Sequence, residues 1–230
     1  MMCRIRSFAW CAVALVALFS AQAVGDGIIL PDDPARGQLN IVHHDVEVTA
    51  RDGLVTTRVD QVFRNPNAYD VEGWYLFPVP AGAAVSSFTM WVDGQALEAR
   101  LLDADEARDI YEDYVRRAVD PALLEYVGRA TLSARIFPIP AGGERRIEIV
   151  YSELLAADSG LYRYRYPLDT ERFSARPLER VRVVADLSTS EPLAAVYSPT
   201  HELEITRSDT RTATVTYEEH DVRPSQDFVL

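Results

Sequence analysis

The chain has 230 residues, with 35 acidic against 23 basic side chains and a formal net charge of −12, and every Lys/Arg position is Arg. A surface of that sign repels nucleic acid and anionic lipid, which argues against a nucleic-acid role. A hydrophobic content of 48% over this length is enough to build a core without a metal or disulfide staple, as one large β domain or two smaller ones.

Arg4 and Arg6 precede an apolar run from Phe8 to Phe19, followed by the small-x-small series Ala21-Gln22-Ala23. This is the pattern of a secretory signal peptide over residues 1–23. The run is shorter than the ~20 apolar residues of a membrane span, and no later stretch is long and apolar enough to be one. Export would end in a periplasm, at a cell surface or in the medium. Cys3 and Cys11 both lie in this segment, so the mature chain would carry no thiol and no disulfide. The segment also holds two Arg and no acid, so its removal takes the net charge to −14.

Residues 24–38 read as a linker, and from Asn40 short β segments alternate with turn residues. Val42, His44, Val46, Val48 and Ala50 fall on one strand face, and Asp52-Gly53 signals a tight hairpin. Val55, Thr57, Val59, Gln61 and Phe63 continue on a second strand until Asn65-Pro66-Asn67 breaks it. A third strand is expected from Val71 to Phe77 and a fourth from Val85 to Val92, entering a hairpin at Asp93-Gly94. All four read as antiparallel.

A single helix is then expected over about 103–119. Asp103 stands as N-cap with Glu106 three residues on, and Asp120-Pro121 comes after it as a stop. Ala107, Ile110, Tyr111, Tyr114, Val115 and Ala118 make one apolar stripe for packing on a sheet. Strands are expected after it at about 122–137, 145–155, 161–167, 179–187, 201–207 and 211–218, the last two flanking a turn at Ser208-Asp209. The end, Gln226-Asp227-Phe228-Val229-Leu230, reads as the start of a linker toward a further domain.

LFPVPAGA at 76–83 is nearly repeated as IFPIPAGG at 136–143. Two prolines two residues apart withdraw ladder donors, and the Gly after them permits a turn. The flanks do not align, so the repeat reads as two strand-ending corners with Phe77 and Phe137 turned inward rather than as a duplicated domain or a docking surface.

QVFRNP, EGWYLFPVPAGAAVSSFTMWVDG, EARDIYEDYV and SARIFPIPAGGERRIEIVYSELL, in that order and spacing, resemble the VIT domain, named for the vault protein and inter-alpha-trypsin inhibitor heavy chains. YSPTHELEI and SQDFVL are similar to the segment that leads from such domains into a von Willebrand factor A domain. The resemblance implies a mainly β fold, an antiparallel sandwich with the one helix packed on it, over 39–155, then an accessory β region over 156–222 and a linker from 223. It implies a protein partner, with a von Willebrand factor A domain in cis or trans as one form of it, and it carries no catalytic residues over.

Several local patterns imitate sites. Asp186-Leu-Ser188-Thr-Ser190 spells a divalent-cation adhesion motif, but residues 191–230 read as hairpins rather than the alternating strands and helices that would supply further ligands. His43 and His44 precede Asp45 and Glu47, yet adjacent strand residues point to opposite faces, which leaves His44 for the core or an interface and His43 for solvent. His201-Glu202-Leu203-Glu204 lacks the second His of a zinc-protease helix. Asp103, Asp105, Glu106, Asp109, Glu112 and Asp113 suit a helix start and its solvated face. No catalytic, cofactor or metal residue is therefore assigned, and an exported, non-enzymatic interaction module for scaffolding or adhesion is expected. The alternative is a secreted carbohydrate- or peptide-binding accessory protein using a ladder of Tyr162, Tyr164 and Tyr166, with Arg163 and Arg165 on the opposite face.

Overall fold

The structure is a computed structural model that describes residues 27–33, 39–98, 131–168, 174 and 176–230, the side chains of Thr131 and Phe137 excepted. The helix expected over 103–119, the signal-like residues 1–23 and the first part of the strand expected from 122 lie outside the described residues. Every regular element among the described residues is a strand. In chain order these are β1 Ile28–Pro31, β2 Asn40–Arg51, β3 Leu54–Arg64, β4 Val71–Pro78, β5 Ala84–Val92, β6 Gln95–Glu98, β7 Thr131–Ile139, β8 Glu144–Leu154, β9 Arg165–Tyr166, β10 Leu178–Ser188, β11 Glu204–Arg207, β12 Thr212–Val222 and β13 Phe228–Val229.

One eight-stranded sheet, in the order β11-β12-β10-β2-β3-β8-β5-β6, forms the base. Its inner face keeps the period-2 pattern: Val46 and Val48 on β2, Val55, Val59 and Phe63 on β3, and Ile147, Ile149 and Tyr151 on β8 are all buried. Two smaller pieces cover that face. The three-stranded sheet β1-β4-β7 lies over one half, where the Tyr75 ring packs edge-on against Phe63 at 6.0 Å and tilted against Phe88 at 5.5 Å, and Phe77 meets Tyr151 at 5.8 Å. The ribbon β9-β13 covers the other half, carried by Tyr164, Tyr166 and Phe228.

Among the described residues the antiparallel expectation holds for every ladder but one. β10 pairs parallel with β2, Val183 opposite Val46, while its other edge pairs antiparallel with β12. A strand paired on both edges and covered on one face buries alternate side chains, and Val181, Val183 and Ala185 are the apolar ones turned inward. The same pairing places β10, from the span 156–222, and β2, from the span 39–155, in one sheet. Residues 28–31, in the span expected as linker, form β1 on β4. Residues 228–229 form β13 on β9, extended by reciprocal bonds of 2.9 Å between Tyr164 and Leu230.

The repeated octapeptides lie at two of the passages from the small sheet to the large one, β4 to β5 and β7 to β8. Both close in the same way: Ala83 N donates to the Pro80 carbonyl at 3.0 Å and Gly143 N to the Pro140 carbonyl at 2.8 Å. Gly82 and Gly142 occupy φ +82° and +71°, which L side chains rarely adopt. Phe77 is fully buried. Asn65 straps the second corner from the end of β3, with Nδ2 donating to the carbonyls of Tyr69, Ile139 and Pro140 and its own backbone bonded to Gly142 and Gly143.

On the outer face of the large sheet the side chains form a lattice of ion pairs. Arg58 meets Glu47 and Glu148, Arg146 meets Asp60 and lies 4.1 Å over the Trp91 ring, and Arg180 meets Asp45. Charged side chains at alternate positions suit a sheet face that no other described element covers.

Candidate functional site

The inner face near β2 and β3 holds a line of buried polar groups. Gln61 Nε2 donates to the Gly27 carbonyl at 3.2 Å, which can only accept, and so fixes the amide orientation. The same nitrogen lies 3.1 Å from His44 Nδ1, which therefore accepts, leaving the ring proton on Nε2 to be donated to the Tyr166 hydroxyl at 2.8 Å. Gln61 Oε1 accepts from Tyr75 at 2.7 Å. His44 is fully buried, and desolvation, reinforced by the charge of His43, pushes its pKa down to about 3. This neutral, satisfied histidine joins β2, β3, β4 and β9 and has no exposed nitrogen. It is a core group, and burial removes it from any metal shared with His43.

Beyond this line the inner face is covered less closely, and a groove of about 470 Å³ opens at the hairpin end of β2 and β3. Its floor is Val48, Ala50, Val55 and Leu187 from three neighbouring strands. One wall is the segment 155–162 and the other the segment 188–197. The Asp52-Gly53 turn forms the end, with both residues at positive φ, +46° and +86°, as a two-residue hairpin of this twist requires.

Each wall is pinned by the backbone. Leu155 N donates to the Gly53 carbonyl at 2.8 Å, and Ser159-Gly160, again with both φ positive, folds the wall back on itself between Asp158 and Leu161. A Cβ on Gly53 would lie 2.6 Å from the Tyr162 ring, so glycine here lets that ring rest on the hairpin tip. On the other side, Leu193 N bonds the Thr210 carbonyl at 2.8 Å, Thr189 N bonds the Arg211 carbonyl at 3.0 Å, and Arg207 Nη1 bonds the Leu193 carbonyl at 2.7 Å. The rim carries large exposed side chains: Leu161 is 55% exposed, Tyr162 45% and Tyr197 59%. Two carboxylates, Asp52 and Glu191, line the groove, and among the described residues no basic side chain does.

The three tyrosines do not form one exposed ladder. Tyr164 and Tyr166 are core residues, bonded to Thr57 Oγ1 at 3.0 Å and to His44, and burial holds the Tyr164 phenol well above its usual pKa. Of the three, Tyr162 alone stands exposed on the groove's rim. The regular strand is confined to Arg165–Tyr166 because the Ser159-Gly160 turn occupies the preceding residues.

The hydroxyl-rich series after β10 is spent on the fold. Asp186 Oδ1 accepts from Thr214 Oγ1 at 2.7 Å, and Ser190 gives both its amide and its hydroxyl to Asp52 Oδ1, at 2.7 and 3.0 Å. His201 packs against Tyr217 at 4.6 Å and bonds Thr200 Oγ1 at 2.9 Å, with Glu204 apart on β11. No cluster of three His, Cys, Asp or Glu with metal-holding geometry occurs among the described residues. Leu161, Glu191 and Tyr197 belong to the groove but escape a reading based on strands. The available signal is Pro192-Leu-Ala-Ala-Val196, five apolar residues in a stretch bounded by turn formers, where a surface loop is ordinarily polar.

Comparison with solved structures gives a fold match to a protein of Legionella pneumophila subsp. pneumophila named as a candidate nutrient binding protein, with a TM-score of 0.56 at 14% identity over 90% of this chain and 71% of that one. An M1 zinc metallopeptidase of Deinococcus radiodurans aligns with a TM-score of 0.45 at 12% identity, over 87% of this chain and 42% of that one. The chain thus spans less than half the length of that enzyme. None of the curated proteins matches by sequence. The model of the vault protein inter-alpha-trypsin domain, VIT, matches residues 41–151, from the second residue of β2 to Tyr151 on β8. Over that span the chain belongs to the VIT domain family.

Proposed function

We propose that this chain is a non-enzymatic protein-interaction module that engages its partner through the groove between segments 155–162 and 188–197. The observation that carries this reading is an apolar groove rimmed by three large, exposed hydrophobic side chains on an otherwise strongly acidic, ion-paired surface. Contiguous apolar surface of that kind marks a place of contact. Membership of the VIT family supports it, as does the engagement of the candidate catalytic and metal-ligating side chains in core or turn bonds. The Legionella protein's name raises nutrient binding for that protein, and the shared fold alone does not transfer it. Scaffolding or adhesion outside the cytoplasm is the setting proposed, on the signal-like residues 1–23.

The test is quantitative capture from the exported proteome of the source cells. The native chain and Ala195→Trp, which fills the groove from an exposed position, are immobilised in parallel. One stoichiometric partner retained by the native chain and lost by the variant supports the reading. Retention by neither, or equal retention by both, removes the groove from the function.

A further inference from the structure

We propose that the groove takes an extended peptide segment in which a basic side chain accompanies apolar ones. The proposal rests on the interaction reading above and adds the chemistry of the occupant.

Three observations select it. The floor, built from Val48, Ala50, Val55 and Leu187, offers only alkyl surface, so the part of the ligand that reaches it must be apolar. Among the described residues, the charged side chains that line the groove are two carboxylates. Asp52 spends Oδ1 on Ser190, and its Oδ2 has no described partner; Glu191 is exposed and carries no described bond through its side chain. With a net charge of −12 behind them, these groups repel an anionic ligand and attract a cation. Finally, Leu161, Tyr162 and Tyr197 stand on the rim about half-exposed. A pocket for a small molecule encloses most of its ligand, whereas an open groove with aromatic and alkyl side chains on its lips suits a chain that enters at one end and leaves at the other. Tyr and Leu there supply area, and the carboxylates set orientation.

The test uses the full chain and fluorescein-labelled nonapeptide pools. One pool has Leu, Val, Phe, Ser and Arg at every position, a second replaces Arg by Glu, and a third replaces Arg by Gln. Binding is read by anisotropy, and the contact surface by amide shifts in heteronuclear NMR. The Arg pool is expected to bind at least tenfold more tightly than the Glu pool, with shifts at Gly53, Leu161, Tyr162 and Ala194, and to weaken as salt is raised. Asp52→Asn keeps the Oδ1 acceptor and tolerates positive φ, and Glu191→Gln alters an exposed side chain. Together they are expected to weaken the Arg pool roughly three- to tenfold while leaving the Gln pool unchanged. If the double substitution unfolds the hairpin, Glu191→Gln alone gives the same readout with a smaller loss. Equal binding of the Arg and Glu pools, shifts confined to other surfaces, or self-association abolished by Ala195→Trp would each overturn the peptide proposal. Partner capture that depends on the groove but ignores both charge substitutions would also overturn it, while leaving the interaction reading in place.

Discussion

The Tyr166 hydroxyl lies 2.8 Å from His44 Nε2, joining residues 122 apart in sequence inside a core with no water-facing nitrogen on the imidazole. The bond ties the β9-β13 ribbon to the base sheet and makes folding depend on a neutral histidine.

That neutrality makes stability depend on pH. His44 titrates near its ordinary 6.5 when unfolded and at about 3 when folded, so between those values the unfolded chain binds the extra proton. Stability from this group is complete above about pH 6.5 and declines as pH falls toward 3, with a slope of up to about 1.4 kcal/mol per pH unit. Urea midpoints of the native chain and His44→Gln, measured from pH 7 to pH 4, are expected to converge on acidification. Parallel profiles would show that burial leaves the proton affinity of His44 as it is in the unfolded chain.

Removing one partner from the same line leaves its neighbours unsatisfied. Tyr166→Phe is expected to destabilise by about 1–3 kcal/mol, since His44 Nε2 loses its acceptor in a dry environment. Tyr162→Ala, whose ring is about half-exposed on the rim, is expected to leave the thermal midpoint nearly unchanged and to weaken partner binding. The two substitutions separate core from surface within a single Tyr-x-Tyr-x-Tyr series.

Asn65 organises the second corner through three side-chain donations and two backbone bonds. Asn65→Ala is expected to lower stability by about 2–4 kcal/mol, measured by chemical denaturation. Asn65→Asp, which keeps the acceptor for Asn67 but loses the Nδ2 donors, should fall close to it.

Gly82 and Gly142 have open space where a Cβ would be placed, so substitution there tests conformation alone. Gly82→Ala and Gly142→Ala should each cost about 1 kcal/mol through positive φ, and their effects should add, because the two corners sit on different strand connections. A much larger loss at either site, read from urea midpoints, would point to packing of the corner.

Much of the base sheet is legible in the sequence. Alternation on β2 and β3 identifies both inner faces, with Gln61 on the β3 face and His44 on the β2 face, left between core and interface, and the turn chemistry of Asp52-Gly53 and Asp93-Gly94 locates two hairpins. The parallel partnership of β2 and β10 is not legible, because period-2 patterns give a strand's face and never its neighbour. β1 and β13 are two to four residues long, too short for any periodicity to register. The groove escapes for a related reason. Its floor reads as ordinary core, and its walls are loops shaped by the local Ser159-Gly160 turn and by Leu155, Thr189 and Leu193 bonding to distant backbone. A ladder argument puts Tyr162, Tyr164 and Tyr166 on one strand face alike, whereas Tyr164 and Tyr166 are buried and Tyr162 is exposed.

The interaction account is tested most directly by hydrogen–deuterium exchange of the full chain, alone and with its captured partner. Slowed exchange is expected at segments 155–162 and 188–197 and at the Asp52-Gly53 tip, with the outer face of β3 and β8 unaltered. Protection spread over the ion-paired outer face, with both groove walls exchanging as in the free chain, would contradict it.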